Sequence, residues 1–245
     1  MRDRDAKFSG PFDEVLRTEG VSVIRTITNR VAIEGIALVT GIVLAVSLVV
    51  QLAARRYVPW IYWLAVVMVS VFGTMAADGV HVGLGIPYVV SSTVFALALA
   101  AIFATWFASE KTLSIHSIWN RRRETFYWAV VLTTFALGTA VGDMTAFTLR
   151  LGFLTSGLIF AAVIALPALG YWKFGLNEVL AFWVAYVLTR PLGASFADWL
   201  AGSRILGGIG LGYGLISMTL ALLIVGFVAY LTLTRKDIRE EGVSD

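Results

Sequence analysis

The chain contains no cysteine and few charged residues, and each shortage narrows the class of protein. Without cysteine, disulfide bridges, thiolate metal sites and thiol redox chemistry are all excluded. Charged residues make up only 14% of the 245 residues, whereas a soluble domain carries about 25%. Hydrophobic residues reach 58%, and the mean hydropathy is +0.83. Together these values indicate an integral membrane protein.

The sequence lacks the residues that several classes of function require. The net charge of +3 is explained by basic loops at one membrane face and does not indicate a nucleic-acid partner. No Ser/His/Asp set and no HExxH motif is recognisable, so we expect that the protein is not an enzyme. With two histidines and no thiol, we expect no resident cofactor. The expected partners are membrane lipids and a small ion or solute, and a homo-oligomer stays open.

Seven segments are long and apolar enough to cross a membrane, which takes about 20 mostly apolar residues each. The sequence therefore predicts an all-α fold, a polytopic transmembrane helical bundle. It leaves a polar segment at 1–30, which is either a degenerate first helix or an interfacial segment, and a tail at 234–245. The predicted spans are 31–53, 61–80, 86–108, 125–146, 151–172, 177–200 and 208–233.

The distribution of lysine and arginine predicts the orientation of the bundle. The loops on one face of the predicted bundle hold only Arg150 and Arg204, whereas the loops on the opposite face are rich in basic residues. Because cytoplasmic loops carry the excess of basic residues, the basic face is predicted to be cytoplasmic, with the C-terminus inside a bacterial inner membrane. The basic face collects Arg55, Arg56, Lys111, Arg121, Arg122, Arg123, Lys173, Arg235, Lys236 and Arg239.

Three of the predicted helices share one sequence pattern. They read YWLAVVMVSVFGTMAAD (62–78), YWAVVLTTFALGTAVGD (127–143) and FWVAYVLTRPLGASFAD (182–198), each with a tryptophan, a glycine ten residues later and an aspartate fifteen residues later. The matched positions are Trp63, Gly73 and Asp78; Trp128, Gly138 and Asp143; and Trp183, Gly193 and Asp198.

A second, more apolar helix follows each patterned helix, so the repeating unit is a two-helix hairpin. Two-helix steps keep every copy in the same membrane orientation, related by pseudo-symmetry about the membrane normal. The tryptophans are expected to anchor the cytoplasmic interface. Within a bundle at 31–233, the predicted units are a half repeat at 31–53 and full repeats at 61–108, 125–172 and 177–233.

This pattern resembles a family of bacterial integral membrane proteins built from tandem two-helix repeats of unknown function. The resemblance rests on EKTLSIHSI, FALGTAVGD and LAFWVAYVLTRPLGASFADWLA, and it covers about residues 40–233. It implies an architecture of usually four repeats, whereas the first repeat here is only half present. The resemblance implies no substrate.

The repeats place ionisable residues within the predicted membrane region. Residues four and eight positions apart share one helix face, so pseudo-symmetry is expected to bring the three repeat aspartates together at one depth. Such oxygen ligands suit protons or Mg, Ca and Mn-type ions. The candidate binding residues are Asp78, Asp143, Asp198, Arg190, Thr74, Thr139 and Glu34, with the three aspartates as candidate metal ligands.

Two functions are compatible with these residues. The first is a small transporter that moves a divalent metal ion or a proton-coupled solute through a carboxylate-lined site. The alternative is a non-transporting scaffold or sensor, in which the aspartates form structural ion pairs with Arg150, Arg204 or His81. A charge at the bilayer centre costs roughly 2.5–3.5 kcal/mol. We therefore expect carboxylates of neighbouring repeats to face Arg190 across the bundle.

Overall fold

The computed structural model describes residues 27–54, 56–115, 118 and 120–234, with side chains described from residue 35 onward. The chain divides into two compact units, residues 1–39 and residues 40–245. In the first unit, the described residues form the start of a long helix. The second unit contains the rest of that helix and all the others.

Eight α-helices account for most of the described residues. Short π-helical turns, Gly79–Gly83 and Met144–Thr148, directly extend the second and the fourth helix. A 3-10 turn, Arg204–Leu206, precedes the last helix. The helices are α1 (Ile27–Ala53), α2 (Pro59–Asp78), α3 (Tyr88–Glu110), α4 (Arg121–Asp143), α5 (Gly152–Val163), α6 (Ala165–Phe174), α7 (Glu178–Ala201) and α8 (Tyr213–Thr234).

Local sequence signals explain where the repeat helices begin. The Asn120 side chain accepts a hydrogen bond from the Arg123 amide at 2.8 Å and so caps α4. Asn177 caps α7 in the same way, accepting from the amides of Val179 and Leu180. Pro59 opens α2, where its missing N–H leaves no hydrogen bond unmade. Each repeat therefore starts its first helix with its own cap or proline.

Seven helical segments are long and apolar enough to cross a membrane, as predicted. They fit a multi-pass membrane protein built as a helical bundle. The last span begins at Tyr213 rather than at 208, because the glycine-rich stretch before it is not helical. The span predicted at 151–172 is interrupted at Ile164. Pro167 explains the break, because it cannot donate a hydrogen bond to the carbonyl of Val163 and its ring crowds that carbonyl.

The first helices of successive repeats pack against each other through their matched glycines. A methyl group on Gly73 would lie 2.6 Å from the Cβ of Phe135, so α2 and α4 are in direct contact there. Gly138 meets the Cβ of Arg190 in the same manner, which joins α4 to α7. Phe135 and Arg190 occupy the same position of their repeats. This shared contact is the close approach that small residues permit between membrane helices.

Two of the three repeat tryptophans lie inside the bundle, which contradicts their expected role as interfacial anchors, whereas Trp63 is half-buried. Trp128 is 3% exposed and Trp183 is 4% exposed. The indole N–H of Trp183 donates to the carbonyl of Leu113 at 2.8 Å, so the buried nitrogen is satisfied. Trp106 lies edge-on to Trp183, with ring centroids 5.8 Å apart. In the second and third repeats the tryptophan is therefore a packing residue that ties the first helix to its neighbours.

Candidate functional site

A cavity of about 710 Å³ lies at the end of α2, α4 and α7, where the three repeat aspartates are found. We call it the acidic cavity. Its lining includes five of the residues predicted from the sequence: Asp78, Asp143, Asp198, Thr74 and Thr139. The two threonine hydroxyls lie 3.3 Å apart and join α2 to α4 beneath the aspartates. The structure thus brings together the acids of all three repeats and both threonines.

Two tyrosine side chains contact aspartates of the acidic cavity. Tyr88, the first residue of α3, lies within hydrogen-bonding reach of Asp143 of the next repeat. Tyr213, the first residue of α8, lies within the same reach of Asp198 of its own repeat. The hydroxyl group of each tyrosine can donate to an ionised carboxylate, which stabilises the negative charge. The third acid, Asp78, has an exposed side chain.

His81 is placed beside the acids but does not form an ion pair with them. Its ring stacks on Tyr88 with centroids 3.4 Å apart. Its Nδ1 lies 2.7 Å from the carbonyl of Ile86, and hydrogen bonding there holds the ring in place. His81 therefore supports the tyrosine that contacts Asp143.

Asp78 and Asp143 both stand where an α-helix passes into a π-helical turn. The turns Gly79–Gly83 and Met144–Thr148 begin immediately after them. Single π-helical turns within helices occur frequently at functional sites, because the wider turn re-aims side chains at a modest cost in backbone hydrogen bonding. The same irregularity at matched positions of two repeats marks this end of the bundle as specialised.

Sequence reasoning missed both tyrosines, although a signal for one of them was present. An aromatic residue follows the repeat aspartate after ten positions in two repeats, as Tyr88 after Asp78 and as Phe153 after Asp143. In the third repeat a longer loop moves the aromatic residue, Tyr213, to fifteen positions after its aspartate. Phe153 and Tyr213 both line the acidic cavity.

The three aspartates do not form a ready metal site. Among the residues that the structure describes, no group of three or more His, Cys, Asp and Glu side chains is arranged to hold a metal ion. The prediction that Asp78, Asp143 and Asp198 act together as direct metal ligands therefore has no support from the geometry. The seventh predicted residue, Glu34, lies on α1, but its side chain falls outside those described.

Arg190 is stabilised by aromatic rings and not by carboxylates, which corrects the expectation from the sequence. Its guanidinium carbon lies 3.9 Å from the ring centroid of Phe135 and 4.5 Å from that of Tyr186. Its buried Nε has no hydrogen-bond partner. In the described ranges, the ion pairs join Glu110 to Arg122 and Arg123, and none involves Arg190.

The direction of helical side chains explains this result. Side chains on an α-helix lean toward its N-terminus, so Arg190 extends toward Tyr186, one turn earlier, and away from Asp198. A cation over an aromatic face gains about 2 kcal/mol or more when the pair is desolvated. Two such faces offset much of the cost of placing the charge within the membrane region.

A second cavity, of about 830 Å³, lies at the opposite end of the same three helices. We call it the tyrosine cavity, because Tyr62, Tyr127 and Tyr186 line it. The Tyr62 and Tyr127 hydroxyls are 2.6 Å apart, and Tyr127 also forms a side-chain hydrogen bond with Tyr186. Nearby, the amide of Gln51 donates to the Glu124 carboxylate at 2.9 Å.

Comparison with known proteins agrees with the repeat architecture and adds no activity. No curated protein and no solved structure matches the chain significantly. A family model described as Repeat of Unknown Function (DUF347) matches three times, at residues 61–112, 126–175 and 181–237, which is more than half of the chain. The matched segments coincide closely with the three full repeats predicted from the tryptophan, glycine and aspartate pattern. The chain therefore belongs to the family defined by the DUF347 repeat of unknown function.

Proposed function

We propose that the protein is a small membrane transporter that moves a small cation or a proton-coupled solute, and that the acidic cavity binds it. The observation that carries this proposal is the convergence of three carboxylates, from equivalent positions of three repeats, on one cavity among membrane-spanning helices. Ionisable residues within membrane helices are costly and usually mark ion pathways or relays. In transporters built from repeats, binding sites form where the repeats meet.

The geometry favours an indirectly bound cation over a chelated metal ion. A cavity of about 710 Å³ has room for an ion that keeps part of its water shell, as Mg²⁺ commonly does. Because no three acids within the described ranges are arranged around one metal position, water would mediate some of the contacts. A divalent cation is thus a substrate in this proposal, and we propose neither a resident cofactor nor a catalytic activity.

The scaffold alternative receives less support. It requires the repeat aspartates to form ion pairs with arginine or histidine, and the ion pairs found in the described part of the chain involve Glu110 instead. The Arg204 Nε donates to the carbonyl of Ile209 at 3.1 Å rather than to an aspartate. We further propose that lipids surround the bundle in a bacterial inner membrane, with the basic loops and the C-terminus in the cytoplasm.

The first test is cation-dependent stabilisation of the purified, full-length protein. Thermal unfolding would be measured with Mg²⁺, Ca²⁺ and Mn²⁺ for the wild type and for a variant carrying Asp78→Asn, Asp143→Asn and Asp198→Asn. A ligand that binds only the folded state adds RT ln(1 + [L]/Kd), about 2.7 kcal/mol at a hundredfold excess over Kd. We expect one cation to stabilise the wild type and not the triple variant.

The matched control is Glu178→Gln, because it removes an exposed carboxylate from the other end of α7. This variant should keep the full stabilisation. The effective ion would then be used in uptake assays with proteoliposomes, alongside pyranine to follow protons. If no cation distinguishes the wild type from the triple variant, and uptake of ions and protons is equal in both, the cavity is not a cation site.

A further inference from the structure

We infer that Arg190 closes the path between the tyrosine cavity and the acidic cavity, and that its charge excludes small inorganic cations from that path. This inference rests on the proposed transport function. It adds the residue that keeps a transporter of this architecture from leaking ions.

The two cavities lie at opposite ends of the same three repeat helices. On α2, residues spaced by four lead from Tyr62 in the tyrosine cavity, through Ser70, to Asp78 in the acidic cavity. Sixteen residues of α-helix separate the two ends, a distance of about 24 Å. The corresponding stretches of α4 and α7 run from Tyr127 to Asp143 and from Phe182 to Asp198. A solute that moved between the cavities would pass along these three helices.

Midway along the three helices, the path is blocked by two large side chains. The midpoint residues of the three helices are Ser70, Phe135 and Arg190, and neither Phe135 nor Arg190 lines either cavity. Phe135 projects from α4, and the guanidinium of Arg190 covers its ring at 3.9 Å. The close approach of Gly138 to Arg190 leaves no gap between α4 and α7 at this level.

The surroundings of Arg190 allow its side chain both to block the path between the cavities and to move out of it. Its Nε is buried without a hydrogen-bond partner, and its guanidinium is held by ring faces at 3.9 and 4.5 Å. A structural arginine would usually be fixed by bidentate hydrogen bonds to a carboxylate. Contact with ring faces is less directional, so the side chain can leave Phe135 and Tyr186 without breaking a hydrogen bond of that Nε.

The positive charge of Arg190 also determines which solutes the closed path excludes. An arginine in a narrow pore is a recognised electrostatic barrier to cations and protons. A cation bound in the acidic cavity would meet the Arg190 charge before it reached the tyrosine cavity. Passage therefore requires the guanidinium to move away from the two rings, so the protein acts as a carrier with a closed state and not as an open channel.

Potassium leak from proteoliposomes tests this inference directly. Vesicles loaded with K⁺ would contain the full-length wild type or the Arg190→Met, Arg190→Lys or Phe135→Leu variant, and K⁺ efflux would be followed with an ion-selective electrode. We expect Arg190→Met, which keeps much of the volume but loses the charge, to raise efflux at least tenfold. Arg190→Lys should stay within about threefold of the wild type, and Phe135→Leu should raise efflux about threefold or more.

The control variant is Arg150→Gly, which removes an exposed arginine from a loop. Its backbone has a φ of 57°, which glycine adopts easily. Size-exclusion chromatography and circular dichroism would establish that each variant folds, and Phe135→Leu decides the question alone if Arg190→Met does not fold. Wild-type efflux from folded Arg190→Met, or from Phe135→Leu in its place, would overturn the inference.

The leak assay uses no substrate, so its failure is separable from failure of the proposed function. If uptake is insensitive to the aspartate substitutions while Arg190→Met leaks, the acidic cavity is not the binding site but the closure by Arg190 stands. If uptake depends on the aspartates and Arg190→Met holds K⁺ as well as the wild type does, the closure is wrong.

Discussion

Gly138 lies directly against the Cβ of Arg190, so α4 and α7 approach closely at the charged residue at mid-helix. The equivalent residue of the first repeat, Gly73, contacts Phe135 in the same way. The third, Gly193, has no atom within 4 Å of the position that its Cβ would occupy. The repeat glycine is therefore tightly packed in two repeats and unobstructed in the third. The third position can serve as an internal control for substitutions at the other two.

Substituting Gly138 by alanine should destabilise the protein, because the new methyl group would force α4 and α7 apart. Overpacking in a well-packed contact typically costs about 1–3 kcal/mol. Thermal unfolding in detergent would show a lowered Tm for Gly138→Ala. The Gly193→Ala variant should unfold at the wild-type temperature or slightly above it, since alanine is a better helix former than glycine. Equal effects at the two positions would contradict the observed packing.

Replacing Trp183 by phenylalanine should also destabilise the bundle. The change removes the hydrogen bond from the indole N–H to the Leu113 carbonyl and leaves that carbonyl without its partner. Losing such a bond costs about 1–3 kcal/mol when a buried group is left unsatisfied. Thermal unfolding should detect this, whereas Trp172→Phe, at a residue that is 78% exposed, should have little effect. If Trp183 were only an interfacial anchor, the two variants would behave alike.

A hydrogen bond between Tyr88 and Asp143 should appear as a coupling energy in a double-mutant cycle. Such cycles in a membrane protein give about 0.6 kcal/mol on average and up to about 1.7 kcal/mol. We expect a value in this range from the unfolding free energies of Tyr88→Phe, Asp143→Asn and the double variant. A cycle that pairs Asp143→Asn with Tyr171→Phe, near the opposite end of the bundle, should give no coupling. Zero coupling in both cycles would mean that the bond adds no stability.

The architecture was predictable from the sequence because two strong periodicities specify it. Long apolar segments predict the spans, and the matched positions of Trp63, Trp128 and Trp183 predict the hairpin repeat that the family model also finds. The break at Ile164 was less evident, because proline within a membrane helix either kinks or interrupts it according to its neighbours. The glycine-rich start of the last predicted span was misassigned because apolar composition does not separate a loop from a helix.

The position of the acidic cavity was predictable from the sequence, whereas the contacts of the predicted residues were predictable only in part. Matched depth follows from helical rise alone, so the convergence of Asp78, Asp143 and Asp198 on one cavity could be anticipated. The partners of Arg190 were not, because they depend on the direction in which its side chain leans and not on the positions of opposite charges. Tyr186, one turn earlier on the same helix, was the available clue. The tryptophans were misjudged because hydropathy does not distinguish an interfacial aromatic residue from a packed one.

The proposed orientation leads to a final prediction, which the cysteine-free sequence makes simple to test. Lys173 is exposed at the basic end of α6, and Ile205 is 71% exposed in the loop beside the acidic end of α7. A membrane-impermeant maleimide added to intact cells should label an Ile205→Cys variant. It should label a Lys173→Cys variant only after the cells are permeabilised, since basic loops are retained in the cytoplasm.

The wild type carries no thiol, so it provides the background for both variants. Labelling of Lys173→Cys in intact cells, together with protection of Ile205→Cys, would invert the assigned orientation and open the acidic cavity to the cytoplasm. Labelling of both would indicate a mixed insertion. The orientation matters for the mechanism, because it decides whether a cation reaches the three aspartates from outside the cell and meets Arg190 on its way in.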